Sequence, residues 1–240
     1  MSAMTVARVE VTRALRRSSS AGVWAVGLIP SAVGLVTALR GGSMLGTAAV
    51  LLVKLIAPLS AVALVASPVG EGYESRTVLY WFLRPVPRSR VVLGAFMGYA
   101  SLVAVGLFLS GAVFALIHAT AGHGAVSTLA TIPLALAFEG AALTAMVLGL
   151  ATLFPKWPVA ASAGLLTLTE AVLPVMLGQA HLLSVSWHIS HLMGLDLGTE
   201  DALLGTVPQV SAPVSVIAVL LFAALPVAAA VLNVEDRELQ

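Results

Sequence analysis

The chain has 240 residues, of which 59% are hydrophobic and 10% charged, and its mean hydropathy is +1.03. Soluble domains carry about 25% charged residues, so this chain lacks the polar surface to cover a globule in water, and lipid must be its solvent. A formal net charge of +1 gives no bulk reason to bind nucleic acid, and the absence of cysteine excludes a disulfide framework and thiolate chemistry.

In chain order, residues 4–17 read first, as an amphipathic helix. Met4, Ala7, Val11, Ala14 and Leu15 recur at helical spacing, and Arg8, Arg13, Arg16 and Arg17 take much of the remaining surface. Such a helix is expected to lie in the membrane interface. The apolar run after it is long and has no clear small-residue cleavage site, so no cleavable signal peptide is expected. Six spans follow, at about 22–39, 45–69, 91–117, 126–153, 159–178 and 212–232, each near the roughly 20 apolar residues that cross a bilayer. The expected fold class is an all-α integral membrane protein forming one transmembrane domain over 1–240. Pro30, Pro58, Pro133, Pro174 and Pro226 fall inside spans, where proline is tolerated better than in soluble helices.

Lysine and arginine set the orientation. Arginines cluster before the first span and at 76, 84, 88 and 90; Lys156 lies in the loop "FPKWP", and Arg237 in the tail. With six spans these all fall on one side. Both termini and the 70–90 loop are therefore expected in the cytoplasm, with the protein integral to the cytoplasmic (inner) membrane.

The 71–90 stretch, "EGYESRTVLYWFLRPVPRSR", breaks the apolar character. Its first part reads as a short surface helix. Leu79, Phe82 and Leu83 dip into the interface, Tyr80 and Trp81 sit at headgroup level, and Glu74 and Arg76 stay in water. Pro85 and Pro87 end it, because proline lacks a backbone donor and restricts the residue before it.

Glu74, Thr77, Phe82 or Leu83, Pro85, Val86 and Arg88, followed by Gly94, form a pattern that resembles the cytoplasmic loop of the type-2 ABC exporter permeases. Arg76 stands where that family usually has glycine, and Ala95 where it often has lysine. The resemblance extends to the layout: an N-terminal elbow helix (4–20), six spans with both termini inside, and an external interfacial segment (179–211) between spans five and six. It implies that 71–88 is a coupling helix, with Glu74, Arg76, Thr77, Leu79, Phe82, Pro85 and Arg88 at the contact with an ATPase. The expected partners are two ABC ATPase subunits, a second copy or a related permease, and an extracytoplasmic accessory protein. ATP and Mg belong to the ATPase chain. No cofactor and no catalytic residue are expected on this one, which lacks a P-loop, a G-x-S-x-G and an H-E-x-x-H.

Lys54, Glu139 and Glu170 are the ionisable residues deep in spans. A charge there costs at least about 2.5–3.5 kcal/mol, so an ion pair between Lys54 and one glutamate is expected, with a polar lining of a transport path as the alternative. His181, His188 and His191 lie in the external segment beside Trp187. Headgroup-level placement is expected for them rather than a metal site, which wants three or four ligands at recognisable spacing. No histidine pair lies within the spans, which excludes a bundle haem. Two other function classes stay open: a secondary transporter or channel using Lys54, Glu139 and Glu170, and an ABC-like complex that transmits force to an external partner.

Overall fold

A computed structural model of the chain describes residues 2–16, 29, 32, 33, 35, 36, 45–74, 87–120, 128–173, 180–194 and 210–236. These residues are nearly all helical, with no strand among them.

Helix α1, Ala3–Leu15, starts at an N-cap serine: the Ser2 hydroxyl accepts from the Thr5 amide. Helix α2 runs from 45 to 74 with two π-helical turns, Leu52–Ile56 and Val62–Ala66. Pro58 follows the first of them; its missing N–H cannot bond the Lys54 carbonyl four residues back, which favours a wider turn. Helix α3 is Arg88–Thr120, α4 is Thr128–Leu153, and α5 is Pro158–Leu166, continued by a π-helical turn at Thr167–Val172. A 3-10 turn at Ala180–Leu183 leads into α6, Val185–Met193, and α7 is Ala212–Asp236.

Four of the described helices are long and apolar enough to cross a membrane: Ala48–Glu71, Arg88–Thr120, Leu129–Leu153 and Ala212–Glu235. They match the second, third, fourth and sixth expected spans, with shifts at the ends. Helix α2 carries on to Glu74, past both the expected end at 69 and the expected start of the coupling helix at 71. Helix α3 is longer at both ends than 91–117. The described part of the fifth span, Pro158–Val172, is shorter than a full crossing. Most of the expected first span lies outside the described residues.

The centre of the bundle is α4, which packs against α3, α7, α6 and α5. Small residues permit the approach. A Cβ on Gly111 would come 2.7 Å from Leu136 Cδ1 and 3.0 Å from Pro133 Cα, and one on Gly149 would come 3.0 Å from the Pro226 carbonyl oxygen. Where lipid tails are as apolar as leucine, close packing at small residues is a main source of helix association.

Helix α1, expected in the membrane interface, packs one face against protein. Val6, Ala7, Glu10 and Ala14 are buried, and its partner is α3. Gly94 and Gly98 make room: a Cβ on Gly94 would meet the Ala3 carbonyl oxygen at 2.6 Å, and one on Gly98 the Ala7 carbonyl oxygen at 2.9 Å. The Tyr99 hydroxyl donates to Glu10 Oε2 at 2.6 Å, giving the one carboxylate of α1 a buried partner. The helix is thus amphipathic toward protein. Its apolar Met4 and Leu15 stay exposed at the two ends.

Candidate functional site

The most elaborate polar structure among the described residues lies where α6 docks between α5 and α7. Ser184 and Gly194 delimit α6. The Ser184 hydroxyl accepts from the Trp187 amide, and Gly194 closes the helix with φ of 64°, the left-handed conformation that glycine adopts without strain. Val185 to Ser190 are all buried, so this helix is packed into protein rather than laid on the membrane surface.

Its N-terminus is held by Glu170. The Val185 amide donates to Oε1 at 3.1 Å; the Ser186 amide and the Ser184 hydroxyl each donate to Oε2 at 2.8 Å, and the Ser186 hydroxyl donates to the same oxygen. The first amides of a helix have no partner within it and carry the positive end of its dipole. A buried carboxylate answers both needs. Both oxygens of Glu170, expected to need a partner at this depth, are bonded by backbone amides and serine hydroxyls from the start of α6.

The other end of the seam is made by histidine. His188 is buried, and its Nε2 lies 3.0 Å from the Leu182 carbonyl oxygen. A carbonyl only accepts, so Nε2 carries the proton, and in the neutral ring Nδ1 accepts from the Ser215 hydroxyl at 3.2 Å. Burial pushes the His188 imidazole below its usual range, the bond to Leu182 opposes this, His191 and His181 push it further down, and Glu170 pulls it up. Trp187 stands among three imidazoles, with ring centroids 4.8 Å from His181, 4.9 Å from His188 and 6.0 Å from His191. His191 is exposed. His181 and His188 are in the protein interior. Among the described residues no group of three or more ligand side chains is placed to hold a metal ion. The His188–Ser215 contact is not a nucleophilic dyad: Ser215 is fully buried, and the second ring nitrogen meets a backbone carbonyl rather than a carboxylate.

Glu139, at the middle of α4, contrasts with all this. It is fully buried, and neither carboxyl oxygen has a hydrogen-bond partner among the described residues. Lys54 sits half-buried in the first π-helical turn of α2, a turn that touches α6. Lys54 and Glu170 thus both occupy π-helical turns, which occur often at functional sites.

Of the expected coupling residues, Arg88 opens α3 and is half-buried, and its Nη1 donates to the Val234 carbonyl oxygen of α7 at 3.2 Å. Glu74 ends α2. Arg76, Thr77, Leu79, Phe82 and Pro85 lie outside the described residues. Sequence reasoning missed Ser184, Ser186 and Ser215, and the Glu10–Tyr99 bond. The signal for the first was present in Ser184, an N-cap residue ahead of an apolar run closed by Gly194. No protein-family model matches the chain, and no curated protein matches it.

Proposed function

We propose that the chain is the membrane permease subunit of an ATP-driven exporter of the type-2 ABC class, paired with a second copy or a related permease above two ATPase subunits. The observation that carries this reading is α6, a short helix between the last two expected spans, capped by Glu170 and bonded through His188 to Ser215. The pattern around 71–90 supports it, as does a helix ahead of the first span. On this reading the protein sits in the cytoplasmic membrane with both termini inside. ATP binding closes the ATPase pair, which presses on the 71–88 segment. That segment joins α2 to α3, so movement enters the bundle through both helices and reaches α7 through the Arg88–Val234 contact.

A cysteine at Thr77 tests this. The chain has no native cysteine, so a cross-linker placed there reports one position. Capture of a P-loop ATPase subunit is the expected result. Labelling of Thr77→Cys only from outside intact cells would overturn the topology and the function together.

Glu139 favours a second reading, an ion-coupled transporter, because a buried carboxyl with no hydrogen-bond partner among the described residues suits a proton or cation carrier. Co-purification of an ATPase separates the two readings.

A further inference from the structure

The outward face of α1 is a strongly basic surface with a defined shape. Arg8, Val9, Thr12, Arg13 and Arg16 line a cavity of about 560 Å³. Arg8, Thr12 and Arg16 recur every four residues and so form one stripe, flanked by Val9 and Arg13. The three arginines are exposed. The only acidic residue of α1, Glu10, is turned the other way and bonded to Tyr99, so it does not neutralise them. The Thr12 hydroxyl is committed to the Arg8 carbonyl at 2.8 Å, which leaves the guanidinium groups as the polar feature of the cavity.

Two observations place this face at a membrane surface. First, α1 cannot roll. Its opposite face is seated on Gly94 and Gly98 at backbone contact, so the arginine stripe always points away from the bundle. Second, α3 has 33 residues, which at 1.5 Å per residue make roughly 50 Å, about 20 Å more than a hydrocarbon core. Gly94 and Gly98 lie two to three turns from its Arg88 end, within the length that projects beyond the core if the excess is on that side. The apolar Met4 and Leu15, exposed at the two ends of α1, suit acyl chains better than they suit water.

We propose that the Arg8–Arg13–Arg16 face of α1 is a binding site for the phosphate headgroup of an anionic phospholipid. The guanidinium groups bind the phosphate oxygens as charge-assisted donors, and Val9 with the flanking Met4 and Leu15 covers the first carbons of the acyl chains. The site requires only that the protein is in a bilayer, so it stands or falls separately from the ATPase reading.

The test uses the full-length protein in nanodiscs of equal phosphatidylglycerol and phosphatidylcholine, with retained lipid read by native mass spectrometry. Wild type is expected to retain phosphatidylglycerol over phosphatidylcholine. The triple variant Arg8→Gln, Arg13→Gln, Arg16→Gln should lose on the order of 100-fold in that preference, at about a factor of five for each basic side chain near a membrane surface. The triple lysine variant should keep most of it, which separates charge from loss of the fold; unfolding temperatures of all three proteins are measured alongside. An unchanged preference in the glutamine variant overturns the proposal. So does a glutamine variant that keeps its lipid but loses a co-purifying acidic protein, since the face would then be a protein contact.

Discussion

Glu139 and Glu170 are both carboxyl groups inside the same helical bundle, exposed by 0% and 1% respectively, yet the protein treats them in opposite ways. Glu170 receives two amides and two hydroxyls and fixes the start of a helix. Glu139 has no hydrogen-bond partner on either oxygen among the described residues. Equal burial therefore says nothing about equal role. What separates them is the backbone nearby. Glu170 lies in the π-helical turn that continues α5, within reach of the first amides of α6. Glu139 is in the middle of a long helix whose amides are already spent on their own turns.

The largest effect should come from removing the satisfied carboxyl. Glu170→Ala leaves the Val185 and Ser186 amides without their acceptor and should cost on the order of 3–5 kcal/mol, as breaking a buried charged cluster does. Thermal unfolding in detergent measures it, and protease cleavage within 185–193 should rise with it. A mild effect with α6 still protected would mean the cap is incidental. The reverse is expected at the other carboxyl. Glu139→Leu exchanges an unsatisfied polar group for an apolar one of similar size and should gain about 1–3 kcal/mol. If this variant is instead less stable, Glu139 has a partner in the membrane, and the contrast with Glu170 collapses. Gained stability with lost transport would mark Glu139 as functional.

The smallest effect is a dependence on pH at His188. Its imidazole titrates below the usual range because the fold buries it, and Leu182, His181, His191 and Glu170 modify that shift. The folded state therefore binds the proton less readily than the unfolded chain. Stability from this group is present above about pH 6.5 and is lost as pH falls through the lowered folded value. The unfolding temperature of wild type should drop over that window, and His188→Phe should flatten the slope whatever its absolute stability. An equal slope in both proteins would assign the pH response to another group.

Much of the bundle was legible in the sequence because apolar length alone decides whether a helix can cross lipid. The runs at 91–117, 126–153 and 212–232 each mark a described helix to within a few residues. In the 159–178 run, of which 174–178 lie outside the described residues, Thr167–Val172 is a π-helical turn, and hydropathy does not sense such a turn. The candidate site was legible only in its ingredients. Glu170 stood out as a costly residue that needs a partner. Nothing in periodicity could show that the partner is a pair of amides 15 and 16 residues further on, since amides are the same at every position. Helix α1 was read as lying in the membrane interface because Met4, Ala7, Val11, Ala14 and Leu15 recur at helical spacing, and that pattern suits a protein partner equally well. Only Gly94 and Gly98, four residues apart in another helix, distinguish a protein partner, and that is a weak sign in a chain with 21 glycines.

The contact between Arg88 and the Val234 carbonyl oxygen has a mechanical meaning when taken with a second one nearby, in which Asn233 Nδ2 donates to the Thr152 carbonyl oxygen at 2.9 Å. Together they lash the first turn of α3, the last turn of α4 and the last turns of α7 into a hoop. Three long rods hooped at one end cannot splay there without snapping two ties. At the far end of α7 Ser215 holds His188, so a swing of α7 there would tug on α6.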